Sequence, residues 1–265
     1  MAVTTSPHSA PASPSAADPE VRRIGKADID WALAEGWKDF REKRGDLIVI
    51  GLLYPIVCLV AAFVTFNDPL LPLFFPLVAG LSIAGPAAAS GFYELARRRE
   101  EGLESSWWHF LDPLKGRSRT PIAILTLGLA GLFIGWLIAA YVLYTLTLGA
   151  EAPMRLSEIG RLFTTASGWT MIVLGHLVGL VFAAIALVLA WVSFPMVVDQ
   201  PVDAATAVRT SIAAARRNPK EAIGWGIRVG LLLVAGTLPF AIGLAIVLPW
   251  LGYATWHLYT RLVVR

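Results

Sequence analysis

The sequence predicts an all-α membrane protein with six transmembrane helices, and three observations support that prediction. First, 56% of the 265 residues are hydrophobic and 15% are charged, with a mean hydropathy of +0.64, whereas soluble domains carry about 25% charged residues. Second, six apolar runs divide the chain, most of them near the roughly 20 residues that cross a bilayer as a helix. Third, the basic residues concentrate in every second gap between these runs. Together they exclude a soluble protein.

The six predicted spans cover about 47–66, 70–93, 121–148, 169–194, 222–238 and 239–260. The last two come from one apolar stretch, 222–260, that is too long for a single helix across a core of about 30 Å. We therefore place a hairpin near Gly236 to Pro239, because proline is well tolerated in the first turn of a new helix. The fifth span is short, so thinning or tilt is expected there.

Residues 1–20 are rich in Ala, Ser, Pro and Thr and predict a disordered N-terminal tail. No basic residue precedes an apolar core in this tract, so a cleaved signal peptide is not expected. The remaining chain, 21–265, is predicted to form one six-span domain.

The positions of the Lys and Arg residues predict the orientation. Nineteen of the 22 lie before the first span, in the second and fourth gaps, or after the sixth span. The third gap holds two, Arg155 and Arg161, and Arg228 lies inside the fifth span. By the positive-inside rule both termini are cytoplasmic. The net charge of +3 is thereby explained as an orientation signal, and no nucleic-acid partner is expected.

Two amphipathic helices are predicted on the cytoplasmic side, each leading into a pair of spans. In 28–43 the apolar face contains Ile29, Leu33, Trp37 and Phe40, a pattern typical of a helix at the membrane interface. It would bind lipid headgroups or a partner, or simply anchor the first span. The counterpart 203–217 has a smaller apolar face, better suited to packing against protein. That face is formed by Ala205, Val208, Ile212 and Ala215.

The second and sixth spans suggest an internal repeat. Matching prolines and glycines recur at the same spacing: Pro76, Gly80 and Pro86 against Pro239, Gly243 and Pro249. The helices ahead of each hairpin also align, with Asp28 against Asp203. Both units would cross the membrane in the same direction, which is a parallel repeat. The alternative is convergent apolar composition.

Three stretches resemble one family of bacterial integral membrane proteins, known as domain of unknown function 2189. They are "NDPLLPLFFPLVAGLSIAGPAAASGFYELARRREEG", "VSFPMVVDQPVDAATAVRTSIAAARRNP" and "IVLPWLGYATWHLYTRLV". The resemblance covers roughly residues 20–265. It implies a six-span protein of the bacterial inner membrane with cytoplasmic ends, and it implies no activity, catalytic residue or cofactor.

Two ionisable residues are predicted to lie inside the membrane, where such side chains are candidates for function. His176 lies nine residues beyond Ser167, about 13 Å deep, and Arg228 lies eight residues beyond Lys220, about 12 Å deep. They form the candidate membrane-embedded polar site. Either His176 is neutral and hydrogen-bonded across helices while Arg228 extends to the headgroups, or both line a path for a substrate or ion.

Pro55, Pro86 and Pro249 fall inside or late in spans and are candidate structural kinks. Glycines four residues apart predict close helix approach in three spans. The pairs are Gly131 with Gly135, Gly175 with Gly179, and Gly226 with Gly230.

No enzymatic signature is present: the chain lacks metalloprotease, nucleophile-elbow and phosphate-loop motifs. Cys58 is the single cysteine, and His176 and His257 lie at different depths, so one chain cannot pair them on a haem. Asp199 and Asp203 are spaced for helix capping rather than for metal binding. We expect no enzyme, cofactor, metal site or catalytic residue.

The leading functional hypothesis is a non-enzymatic accessory or structural protein that binds membrane lipids, a membrane-protein partner or further copies of itself. The alternative is a small transporter or channel with a polar path near His176 and Arg228.

Overall fold

The computed structural model describes residues 19–51, 56, 59, 85–149, 160–238 and 242–265, without the side chains of 43–51 and 161. The predicted tail over 1–18, the candidate kink at Pro55 and most of the first two spans therefore lie outside the described residues. Within the described part the fold is helical, with one isolated β-bridge between Val21 and Val263. The predicted all-α class is confirmed.

The helices follow the chain in this order: α1 (Lys26–Gly51), α2 (Gly85–Glu100), a 3₁₀ helix (Trp107–Leu114), α3 (Arg119–Leu148), α4 (Gly160–Thr164), α5 (Ala166–Ala190), α6 (Ser193–Asp199), α7 (Ala204–Arg217), α8 (Pro219–Thr237) and α9 (Leu244–Leu262).

Helices α3 and α5 form an antiparallel pair that corresponds to the predicted third and fourth spans. Two stretches of the described chain, Arg119–Leu148 and Ala166–Asp199, are long and apolar enough to cross a membrane. Large apolar side chains point outward along both, including Leu127 at 71% and Leu180 at 67% exposure. Water would make such a surface an aggregation hazard, whereas lipid accommodates it.

Helices α8 and α9 confirm the hairpin predicted in the last apolar stretch. Helix α8 ends at Thr237, and α9 begins at Leu244 rather than at Pro239. The ends of the two helices approach closely, because a Cβ placed on Gly243 would lie 2.8 Å from the Gly236 carbonyl oxygen. Charged residues Lys220, Glu221 and Arg228 reduce the apolar character of α8, which explains why it is not among the two long apolar stretches.

Helix α9 is the centre of the core. Side chains from all around it are buried, among them Tyr253, Trp256 and Leu258. Helix α1 crosses it closely at Gly36, where an added Cβ would lie 2.5 Å from the Ala254 nitrogen. A helix that is apolar on every side belongs inside a protein or a membrane.

The first amphipathic helix, predicted at the membrane interface, is largely covered by protein, although Trp37 on its apolar face is 37% exposed. Residues 28–43 belong to one continuous helix, α1, and its apolar face packs against protein. Ile29 and Phe40 are 2% and 4% exposed, and the Trp250 Nε1 donates to the Leu33 carbonyl at 2.8 Å. Most of this apolar stripe is the contact surface for α9.

Helix α7 packs against protein as predicted, but its buried face differs from the predicted one. The most buried positions are Ala207, Ser211 and Ala214, while Ala205 is exposed. Asp203 caps the helix by accepting from the Thr206 N–H at 2.6 Å, which confirms the predicted cap. That hydrogen bond lowers the pKa of Asp203.

The parallel direction of α2 and α9 agrees with the repeat hypothesis, but the lead-in helices differ in register. Gly252 on α9 contacts Phe92 on α2, and Trp256 contacts Glu100, so the two helices run the same way. Asp203, however, precedes the first residue of α7, whereas Asp28 is the third residue of α1 and accepts from the Gly25 N–H. The two aspartates therefore do not occupy equivalent positions. The superposition of the spans remains a prediction, since 60–84 lie outside the described residues.

The two ends of the described chain are joined. Arg22 N–H donates to the Leu262 carbonyl at 2.7 Å, and Val264 N–H donates to the Glu20 carbonyl at 3.0 Å. Asn218, between α7 and α8, holds the same segment by accepting from the Ile24 N–H and donating to the Arg22 carbonyl. The N-terminal segment 19–25 therefore lies at the end of the bundle where α9 finishes and α8 begins.

Candidate functional site

Ionisable side chains from α1, α2, α6 and α9 meet at one end of the bundle, which we call the charged end. It contains Asp39, Arg99, Glu100, Asp199, His257 and Arg265. These residues are far apart in sequence, and the crossing of α1 over α9 and the parallel packing of α2 bring them together.

Asp39 links three helices. Its Oδ2 lies 2.7 Å from the His257 Nε2 on α9, and its Oδ1 lies 3.0 Å from the Arg99 Nε on α2. Arg99 also pairs with Glu42. Because Asp39 is 7% exposed, both partners are needed to offset the cost of burying its charge.

Aromatic rings extend this contact on α1. The His257 ring meets Trp31 edge-on, with centroids 5.6 Å apart. The guanidinium of Arg261 lies 4.0 Å from the centre of a Trp31 ring. Residues 257 and 261 are one helical turn apart, so one tryptophan contacts both.

Asp199 is the second centre of the charged end. It accepts from the Tyr259 hydroxyl at 2.8 Å and lies 3.5 Å from the Arg265 Nε. Burial raises the pKa of Asp199, while the Tyr259 hydrogen bond and the Arg265 charge act to lower it. Asp199 was predicted as a helix cap, and that prediction is wrong, since its carboxylate binds α9 and the C-terminal segment.

Glu100, the last residue of α2, connects the two centres. It accepts from the Trp256 Nε1 at 3.0 Å and from the Arg265 Nη2 at 2.6 Å. Arg99 beside it holds Asp39. The end of α2 therefore ties α1 and α9 to each other.

The remaining basic residues at the end of α2 are also paired. Arg97 binds Glu94 at 2.7 Å and Glu101 at 2.9 Å, and these carboxylates raise the pKa of Arg97. Arg98 lies 3.7 Å from Asp112 on the 3₁₀ helix. The buried carboxylate of Glu94 thus has a cation on its own helix.

The contacts of the charged end join helices. Its buried carboxylates are engaged by Arg, His or Tyr partners at hydrogen-bond or ion-pair distance. Among the described residues, no three His, Cys, Asp or Glu side chains are grouped so that they could hold a metal ion.

The structure places His176 on the outer surface of α5. The side chain is exposed, and its Nδ1 lies 2.7 Å from the Ile172 carbonyl of the same helix. This contact joins His176 to the preceding turn of its own helix, and the predicted hydrogen bond across helices stays a prediction. This position faces the surroundings of the α3 and α5 pair.

Arg228 points in another direction. Its Nη2 lies 3.2 Å from the Asp30 Oδ1 on α1, and its Nη1 donates to the Gly224 carbonyl at 3.0 Å. Gly226, about half a turn away on α8, is the position that faces α5 through Leu187. His176 and Arg228 therefore lie in different surroundings: His176 is on the outer surface of α5, and Arg228 contacts α1.

The predicted kinks and glycine contacts have mixed outcomes. Pro249 lies inside α9, and Pro86 lies in the first turn of the described part of α2. A Cβ added to Gly179 would lie 3.1 Å from the Trp136 ring, so the two helices pack closely there. Three other glycines of these pairs also contact side chains of neighbouring helices: Gly135, Gly175 and Gly226. Gly131 and Gly230 meet no described atom within 4 Å.

Comparison with known proteins identifies one family. A family model described as "Predicted integral membrane protein (DUF2189)" matches residues 74–199, from the second predicted span to the end of α6. No curated protein and no solved structure matches the chain. The resemblance read from the sequence motifs is confirmed over this range, where the chain is similar to the predicted integral membrane proteins known as domain of unknown function 2189.

Proposed function

We propose that this protein is a non-enzymatic accessory component of a bacterial inner membrane, which crosses the bilayer six times and binds lipids or a membrane-protein partner. Helices α3, α5, α8 and α9 would form the last four spans. The predicted segments 47–66 and 70–93 would form the first two, with the beginning of α2 as the inner end of the second.

The orientation is supported by the chain ends and by charge. The bridge between Val21 and Val263 holds the two described ends at the same end of the bundle, as an even number of crossings requires. The excess of Lys and Arg in the same segments favours the cytoplasm for that end.

One observation supports the accessory role above the others: the two membrane-embedded ionisable residues do not converge. Arg228 is neutralised by Asp30 at 3.2 Å, and His176 lies on the outer surface of α5. A path for an ion or polar substrate needs such groups to line one water-filled passage. The competing transporter hypothesis requires them to face each other.

Thiol labelling distinguishes the two hypotheses. In a Cys58→Ser background, His176→Cys should resist a membrane-impermeant thiol reagent as strongly as Leu180→Cys, which lies on the same exposed face of α5. Lys115→Cys, with a side chain 70% exposed near the charged end, should react in inverted vesicles.

Labelling at 176 at the rate seen for 115, with 180 still protected, would show a water-filled path and contradict the accessory role. Equal protection at 176 and 180 would contradict the transporter.

A further inference from the structure

A groove with a volume of about 820 Å³ lies between the N-terminal segment and α7. Pro19, Glu20 and Val21 form one wall, and residues of α7 from Arg209 to Arg217 form the other. It lies beside the chain-end bridge, on the opposite side of α7 from the buried face that includes Ala207 and Ala214.

The groove is basic. Arg209, Arg216 and Arg217 line it, against a single carboxylate from Glu20. Arg209 donates to Thr206 on its own helix. Arg216 and Arg217 are exposed, and neither forms an ion pair with another described residue. The three arginines at the end of α2, by contrast, each hold a carboxylate.

The contacts of α7 place the groove at the level where headgroups lie. Ser211 accepts from the Val192 N–H and donates to the Val188 carbonyl, so α7 lies across the end of α5. Helix α8 begins directly after α7, and its 19 residues extend about 28 Å. That length nearly equals the hydrocarbon thickness of about 30 Å, so its first turn lies at the membrane surface.

An exposed apolar row lies on α8, which begins at Pro219, two residues after Arg217. Lys220 in the first turn of α8 shares a face with Ile223, Ile227 and Leu231, at intervals of three and four residues. These three apolar side chains are 63%, 58% and 65% exposed. A row of exposed apolar side chains below a group of cations matches the two chemical halves of a phospholipid.

We infer that the groove, together with the first turn of α8, binds the phosphate headgroup of an anionic phospholipid of the adjacent leaflet, through Arg216, Arg217 and Lys220, with an acyl chain along Ile223, Ile227 and Leu231. Guanidinium groups donate paired hydrogen bonds to phosphate oxygens. The N-terminal tail is a poorer occupant, because residues 1–18 contain one acidic residue, Asp18.

This inference rests on the proposed function for the position of the groove at the membrane surface, and it names the lipid class. Labelling at 176 tests whether the spans enclose water and is independent of the groove. A failure of one experiment is therefore distinguishable from a failure of the other.

Native mass spectrometry of the purified full chain, titrated with phosphatidylglycerol or phosphatidylcholine, tests the site. We expect phosphatidylglycerol to bind more tightly. In R216Q/R217Q its affinity should fall about thirtyfold, since each basic residue at a membrane surface contributes about a factor of five, while the phosphatidylcholine affinity should not change. R216K/R217K should retain most of the binding, because lysine also binds phosphate.

The matched control removes two exposed cations elsewhere. K38Q/K115Q loses the same charge, and its residues are 65% and 70% exposed, so it should bind phosphatidylglycerol like the parent chain.

Equal binding by R216Q/R217Q and the control, with helix content intact, would overturn the inference. Displacement of the lipid by excess inorganic phosphate would assign the groove to a free anion. Stronger lipid binding after deletion of residues 2–18, with no effect of R216Q/R217Q, would assign the groove to the N-terminal tail. Displacement by phosphate and this effect of the deletion would each overturn the inference.

Discussion

Asp39 shows how single side chains hold this bundle together. Asp39 belongs to α1, and its carboxylate contacts His257 on α9 and Arg99 on α2. Its neighbour one turn earlier, Glu35, makes a looser contact of 3.6 Å with Lys38 on the same helix. The two acids are close in sequence but differ in what they connect.

Replacement of each acid by alanine should separate the two roles. Asp39→Ala removes the acceptor that the partly buried His257 and Arg99 share, although Arg99 keeps Glu42, so the free energy of unfolding should fall by about 1–3 kcal/mol. Glu35→Ala should change it by no more than about 0.5 kcal/mol, as is usual for surface positions. Denaturant unfolding in detergent, followed by far-UV circular dichroism, measures both. Equal effects would mean that Asp39 is only a surface charge.

The residues of the charged end could not be identified from the sequence. Asp39 and His257 are separated by 218 positions, and Asp199 and Tyr259 by 60. Periodicity reports which face of one helix is apolar, but it does not report which helix will cover that face. Asp203 was predictable because its partner, Thr206, is three residues away.

At the scale of the helix, glycine positions determine how closely α1 approaches α9. Gly36 faces the Ala254 backbone, whereas Gly230 on α8 meets no described atom within 4 Å. The apolar spacing in α1 was detected in the sequence, but this face was assigned to the membrane interface. A lipid-facing stripe and a protein-facing stripe share the same period, and only the packed structure distinguishes them.

The same substitution at the two glycines should have opposite consequences. Gly36→Ala places a methyl group 2.5 Å from the Ala254 nitrogen, so α1 must move away from α9, and the cost should be about 1–3 kcal/mol of unfolding free energy. Gly230→Ala gains up to about 1 kcal/mol of helix propensity. Thermal unfolding of both variants in one detergent tests this. A stable Gly36→Ala protein would show that the crossing of α1 over α9 is looser than the structure indicates.

At the scale of the whole molecule, long apolar runs were the most reliable information. The third and fourth spans, predicted at 121–148 and 169–194, are helices, because an apolar run of this length in lipid has few alternatives. Helix α9 begins at Leu244 and not at the predicted Pro239, because a proline permits a helix to begin at its position but does not require it.

Reporter fusions test the topology of the six-span proposal. Fusions after Gly116 and at the C-terminus should report cytoplasm, and a fusion near Ser157, in the gap between α3 and α5, should report the opposite side. The physical reason is that Gly116 lies beside the charged end, where Arg117 donates to the Asp199 carbonyl at 2.6 Å. A cytoplasmic signal at Ser157 would contradict the model of six crossings.

The packing of α1 against α9 also determines the order in which this protein can mature. Asp39 and His257 are 218 residues apart, so at a synthesis rate of roughly 5–20 residues per second the first helix waits roughly 10–40 s for its partner. Throughout that interval the surface around Ile29 and Phe40 has no α9 to cover it. Assembly of the core is therefore a late event, completed after the membrane segments have been inserted, and the newly made chain depends on the translocon, lipid or a chaperone to shield α1 until then.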